Sequence, residues 1–142
     1  MEFDILKEKF KADEAHLLNP LTLAFIGDAV YEVFIRTYIL SENKTMKVQK
    51  LHLKTVEYVK AKAQSKYAKL ILDELNEKEL AVFKRGRNTK SSAPKNADVS
   101  EYRWATGFEA IIGYLYISGN TDRINYFLKK VIELGEDTNV KG

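Results

Sequence analysis

The chain has 142 residues, 45% hydrophobic and 30% charged, with no cysteine and a net charge of +3. That length is one domain, large enough to bury roughly 70% of the surface its unfolded form exposes. The missing thiols exclude disulfides and thiolate metal sites and fit a reducing compartment. Met1-Glu2-Phe3-Asp4 carries no signal-peptide pattern. No apolar run reaches the ~18–20 residues of a membrane span, because Asp28, Glu32 and Arg36 interrupt the best one. We expect a cytoplasmic protein with no membrane partner.

The periodicity is helical throughout, with no clear run of period-two alternation, so the expected class is all-α. A first helix is expected over about residues 3–15, with Phe3, Leu6 and Phe10 on one face. Asn19-Pro20 then reads as a cap with proline at the first helical position. The helix it opens, to about residue 40, is apolar nearly all round, the mark of a central helix. Gly27 inside it costs about 1 kcal/mol against alanine, which predicts the close approach of another backbone or a ligand. A lysine-studded helix follows over about 45–62, its other side formed by Val48, Leu51, Thr55 and Val59. Another covers about 64–74. Asn76-Glu77-Lys78-Glu79 resembles a capping box opening a helix to about residue 86. Residues 87–97 read as a loop, long for a compact domain. Asp98 opens a helix that ends at Gly119, and Asn120 or Thr121 opens the last, ending at Gly135. Residues 1–135 thus form the domain, and 136–142 a flexible C-terminal tail.

The charge is segregated. Residues 44–69 hold eight lysines against Glu57 alone, or +7, and residues 84–95 hold five cations and no acid. With a total of +3, the rest of the chain carries −9. Such a pattern is the footprint of a polyanion binder, although solvated lysine faces account for part of it equally well. The candidate contacts are Lys47, Lys50 and Lys54 in the first stretch and Lys84, Arg85, Arg87, Asn88, Lys90 and Lys95 in the second. As a solvated loop, the second stretch is expected to contribute affinity and little stability.

Two acids stand in apolar company: Asp28 within Leu21–Tyr31 and Glu109 within Trp104–Ile112. An ionised carboxylate there is costly without a compensating cation. One divalent metal shared by Asp28 and Glu109 would provide it, and Mg²⁺ prefers such oxygen ligands. Pairing of the acids with arginines such as Arg36 or Arg103 is the competing explanation. Glu32, four residues after Asp28, is a third acid on that face or an ordinary amphipathic residue. Neither His16 nor His52 forms a recognisable catalytic constellation.

Leu23-Ala24-Phe25-Ile26-Gly27-Asp28 resembles the ribonuclease III signature, Leu-Glu-Phe-Leu-Gly-Asp, and Thr106-Gly107-Phe108-Glu109-Ala110 resembles its second motif, Asp-x-Phe-Glu-Ala. Order and spacing agree. With Gly-Asp-Ala-Val-Tyr-Glu, Arg-Gly-Arg-Asn and no double-stranded-RNA-binding domain expected after the last helix, the chain most resembles the Mini-ribonuclease III family. The resemblance implies an all-helical homodimer of the ribonuclease III type that cleaves double-stranded RNA with Mg²⁺ and matures 23S (large-subunit) ribosomal RNA precursor, with ribosomal proteins as further partners. It makes Asp28 and Glu109 the catalytic and metal-binding residues. It makes Phe25 the aromatic that enters a socket on the partner subunit. Two of the full-length family's four acidic positions are Ala24 and Thr106 here, which leaves room for the alternative of a non-catalytic RNA-binding or ribosome-associated module on the same fold.

Overall fold

In a computed structural model, residues 10, 11, 13–89 and 92–141 are described. Among them every regular element is helical: α1 Pro20–Glu42, α2 Val48–Val59, α3 Ala61–Ile71, α4 Glu77–Asn88, α5 Val99–Ile117 and α6 Thr121–Lys141, with 3₁₀ turns at Ala15–Leu17 and Leu72–Glu74. The helix expected over 3–15 falls mostly outside the described residues.

Local chemistry sets several of these ends. The Asn19 side chain accepts from the Leu21 N–H at 2.8 Å, and Pro20 takes the first helical position. The capping box at α4 is complete: Asn76 Oδ1 accepts from the Glu79 N–H, and Glu79 Oε1 accepts from the Asn76 N–H, each at 2.9 Å. Asp98 caps α5 through the Glu101 N–H at 2.9 Å.

Helices α1 and α5 form the centre, and glycines bring them together. A Cβ on Gly27 would sit 1.7 Å from the Glu109 carbonyl oxygen, and one on Gly113 would sit 1.9 Å from the Leu23 carbonyl oxygen. Only glycine at both positions permits this approach, with 23 facing 113 and 27 facing 109. The core builds outward from that seam. Tyr31 meets Phe108 edge-on at 5.2 Å, and its hydroxyl donates to the Tyr58 carbonyl at 2.8 Å, tying α2 to the centre. Ile35, Phe83, Ile111, Ile112, Leu115 and Phe127 are fully buried around it.

Three expectations need correction. The lysine-studded helix is shorter than expected: it begins at Val48, which is 70% exposed, and Lys60 breaks it in an extended conformation before α3. Helix α4 does not stop at Gly86 but continues to Asn88, so Arg85, Arg87 and Asn88 are helical. Gly86 is a packing residue there, since a Cβ would lie 3.1 Å from the Gly107 Cα and the Ala110 Cβ. Helix α6 likewise runs past Gly135 to Lys141, because Gly135 makes room for Tyr58, whose ring lies 2.4 Å from where a Cβ would be.

Candidate active site

The Gly27–Gly113 seam decides the chemistry at its edge. Asp28 follows Gly27, and Glu109 is the residue whose carbonyl Gly27 accommodates. Their side chains face each other closely enough for Asp28 to hinder ionisation of Glu109. Both line an open cleft of about 400 Å³, together with Leu21, Phe25, Gln64 and Tyr102. The pairing expected from the sequence is therefore present.

The expected burial of Asp28 is not. Asp28 is exposed and Glu109 partly buried, because α1 turns its Leu21–Phe25–Asp28 side outward to the cleft instead of into the core. Among the described residues no cation pairs with Asp28 or Glu109. Arg36 is engaged elsewhere, donating to Glu32 at 2.7 Å. Glu32 thus has an ordinary partner four residues away, though its charge still reaches the cleft.

Electrostatically the pair is uncompensated. Burial pushes the Glu109 carboxyl up to about 9; the Asp28 hydrogen bond and charge add to the rise, and the Glu32 charge adds less. The one opposing influence is Gln64, whose Nε2 donates to Glu109 Oε2 at 3.5 Å and to the Val59 carbonyl at 2.8 Å. Sequence reasoning missed Gln64. Its signal was faint: a single amide between Ala63 and Ser65, small neighbours that allow α3 to pack closely, on a helix otherwise marked by lysine.

Ala24 and Thr106 also line the cleft. The two departures from the acidic pattern therefore fall at the site itself, and Thr106 uses its hydroxyl internally, donating to the Tyr102 carbonyl at 2.9 Å. No group of three or more acidic, histidine or cysteine side chains placed to hold an ion occurs among the described residues. The carboxylates that meet in the cleft are Asp28 and Glu109.

The basic candidates lie apart from this cleft. Lys47 and Lys50 share an open depression with Lys44 at the α1–α2 corner, and Lys54 lines a neighbouring one. Lys84 and Lys95 are exposed, as is Asn88; Lys90 lies outside the described residues. Arg85 and Arg87 are not the free loop cations expected. Arg85 donates to the carbonyls of His16 and Leu18, the latter at 3.1 Å. Arg87 lies over the rings of Phe83 and Trp104, 5.4 and 5.6 Å from their centroids, and donates to Asn88 Oδ1 at 3.2 Å. Phe25, the expected partner-facing aromatic, is 75% exposed at the cleft rim. No helix among the described residues is long and apolar enough to cross a membrane.

Comparison with known proteins agrees with this geometry. Residues 21–120 match the ribonuclease III domain. The chain is 54% identical to the Mini-ribonuclease 3 of Clostridium tetani, covering 94% of this chain and 89% of that protein. It is 50% identical to the Mini-ribonuclease 3 of a Thermoanaerobacter species, covering 84% of each. A crystal structure of a protein from Fusobacterium nucleatum superposes with a TM-score of 0.75 at 35% identity, covering 81% of this chain and 93% of that one. The motifs at Asp28 and Glu109, the helical architecture that joins them and these likenesses together place the chain in the ribonuclease III domain family, among the Mini-ribonuclease 3 proteins.

Proposed function

We propose that the cleft is the active site of a divalent-metal-dependent endoribonuclease that cuts double-stranded RNA as a homodimer, with 23S ribosomal RNA precursor as substrate and Mg²⁺ as cofactor. The endoribonuclease class follows from the family. The observation that carries the rest is the meeting of Asp28 and Glu109 in a cleft without a compensating cation.

The residues present fit a hard cation. A glycine seam brings two carboxyl groups together, and burial, with Asp28 beside it, holds the Glu109 carboxyl up at about 9. These are oxygen ligands of the kind Mg²⁺ takes while keeping several waters. When bound, the cation supplies Lewis-acid chemistry, activating water and offsetting charge on the phosphodiester. Asp28 and Glu109 would hold it, and Glu109 must first release its proton. The Gln64 N–H steadies the Glu109 carboxylate once that proton is gone, and Leu21 and Phe25 give the cleft an apolar rim.

Pairing of two copies is supported by Phe25, a large aromatic left mostly exposed beside the site. A second copy would bring a second cleft, one for each strand, giving a staggered cut with a short 3′ overhang. Duplex RNA is recognised by shape, phosphates and 2′-hydroxyls, and the exposed Lys47, Lys50, Lys54, Lys84 and Lys95 are free to supply phosphate contacts.

The test is cleavage of a labelled RNA duplex with and without chelator, for wild type, Asp28→Asn and Glu109→Gln. Chelation should stop the wild type. Each variant should retain its fold and lose at least about 10³-fold in rate, about 4 kcal/mol of transition-state stabilisation. Undiminished turnover in both variants would remove the site assignment.

A further inference from the structure

We propose that the recess where the start of α3 meets α2 and Gly135 of α6 is an anion site, taking a terminal phosphate group on Lys62, Lys66 and the Tyr67 hydroxyl. It shares no lining residue with the cleft of Asp28 and Glu109 and does not depend on a cation there.

The recess holds about 240 Å³, and its polar lining is Glu57, Tyr58, Lys60, Lys62, Lys66 and Tyr67. Glu57 is its one acid, and Lys60 already holds it at 3.0 Å. Lys62 and Lys66 are exposed, four residues apart on α3, with no acidic partner among the described residues. The helix sharpens this imbalance. No side chain caps α3, no acid stands in its first turn, and the N–H groups of Ala61, Lys62 and Ala63 have no acceptor among the described residues. A helix N-terminus is the positive end of the helix. Lys60 and Lys62 gathered there are unfavourable for the free protein, and a bound anion reverses that cost.

A buried side chain supplies a further donor. Tyr67 is only 5% exposed, its ring stacked on Tyr58 with centroids 6.4 Å apart. Its hydroxyl has no hydrogen-bond partner among the described residues. The fully buried side-chain atoms left unpartnered there are His16 Nδ1 and Gln64 Oε1. The Tyr67 hydroxyl is not one of them, so it keeps accessible surface, and the recess is what Tyr67 lines. Burial, with Tyr58 and the Glu57 charge, holds this hydroxyl up at about 12, so it remains an O–H donor. Two ammonium groups, free backbone N–H groups and a neutral O–H are the donors a phosphate takes. Duplex phosphates carry chain on both sides and lie along a broad surface, so they cannot be brought to a hydroxyl this withdrawn. A terminal phosphate, free or at the end of a strand, can enter.

Binding of inorganic phosphate to the protein in chelator is measured by titration calorimetry, with thermal unfolding alongside. The chelator ensures that no cation in the cleft captures the probe. We expect saturable binding, weakened about 10-fold by Tyr67→Phe, which removes a hydrogen bond to a charged group and keeps the ring. Lys62→Ala with Lys66→Ala should weaken it by at least about 10-fold. Lys78→Ala with Lys129→Ala removes as much charge from exposed positions elsewhere and should leave affinity within about 2-fold. No saturable binding by wild type would overturn the proposal, as would wild-type affinity in Tyr67→Phe. Equal loss in the two lysine pairs would overturn it too, assigning the binding to net charge. If Tyr67→Phe does not fold, the two lysine pairs decide alone. The source of the phosphate is read with a 5′-phosphorylated RNA dinucleotide and its 5′-hydroxyl counterpart. Tighter binding of the phosphorylated one, lost with Lys62 and Lys66, supports the site with an RNA end as ligand. Equal binding of the two, where inorganic phosphate binds, supports it with a small free phosphate.

Discussion

Glu79 and Glu109 are both withdrawn from solvent, and they are treated in opposite ways. Glu79, on α4, is 0% exposed and fully matched. Arg123 on α6 donates Nε–H to Oε2 at 2.9 Å and Nη2–H to Oε1 at 2.6 Å, and Oε1 also accepts from the Asn76 N–H. Arg123 continues to the Glu74 carbonyl at 3.0 Å and lies over the Phe127 ring, 4.5 Å from its centroid. Glu109 meets another acid, with one long N–H contact to offset it. A carboxylate supplied with an arginine fork joins helices. A carboxylate set against its like is left without a cation among the described residues.

The sharpest contrast is with the stability of each site. Glu79→Ala should cost about 3 kcal/mol in urea unfolding, at the low end for a broken buried pair because Arg123 keeps some solvent access. RNA cleavage per folded molecule should be unchanged. If the variant proves as stable as wild type but slow, the two carboxylates have been assigned the wrong way round.

The rims differ too. Beside the Glu79 pair, Tyr126 and Lys130 both reach Glu74. The cleft is edged by an exposed Phe25. Burial of that ring by a second copy predicts that Phe25→Ala weakens the dimer by at least ~2 kcal/mol, about 30-fold in Kd. Sedimentation over a dilution series checks it; an unchanged dimer at the lowest concentration would remove Phe25 from the interface.

What the sequence disclosed follows from how local each cause is. The Asn76 capping box and the Asp98 cap depend on residues three apart, and both were legible. Asp28 and Glu109 were legible because apolar neighbours made their charges conspicuous and because their motifs resemble a known signature. Gly27 was rightly expected at a close approach. Gly86 and Gly135 were expected to end helices, yet each accommodates a side chain or helix distant in sequence, Gly107 and Tyr58 respectively. A helix-interior glycine looks the same in sequence whether it ends the helix or admits a neighbour. Gln64 and the Glu79–Arg123 pair were hidden for the same reason: their partners are 44 or 45 residues away. The exposure of Asp28 was hidden because an apolar stretch presented to a cleft reads like one presented to a core.

The unmatched state of Glu109 has a pH signature. Its folded pKa, about 9, lies above its ordinary value of 4.5. Between those values the folded protein holds a proton that the unfolded chain has released, so this group makes stability fall as pH rises and stop falling above about 9. Glu109→Gln cannot titrate and should stabilise the metal-free protein by about 1–2 kcal/mol at pH 7, with little gain at pH 4. Mg²⁺ should narrow the difference by stabilising wild type alone. Unfolding curves at pH 4, 7 and 9 with chelator would settle it; a variant less stable than wild type at pH 7 would mean that Glu109 is matched after all, as Glu79 is.

The smallest effects distinguish cations used by the fold from cations left for a ligand. Arg85 ties the end of α4 to the carbonyls of His16 and Leu18, just ahead of the Asn19 cap of α1, and Arg87 lies on Phe83 and Trp104. Their loss should therefore register in stability, contrary to what a solvated loop would show. Arg87→Ala should cost about 0.5–1 kcal/mol, the worth of a cation–π contact of this exposure, and Arg85→Ala about 1 kcal/mol for its two hydrogen bonds. Together they should lower Tm by about 5 °C. Lys84 and Lys95 make no such contact among the described residues, so Lys84→Ala with Lys95→Ala should leave Tm in place. If they contact phosphates, that pair should instead lower the slope of log affinity against log salt by about 0.9 for each contact removed. Measuring Tm and the salt slope for both double variants makes the division testable, because an unchanged Tm in the arginine pair would return Arg85 and Arg87 to the solvated surface that the sequence implied.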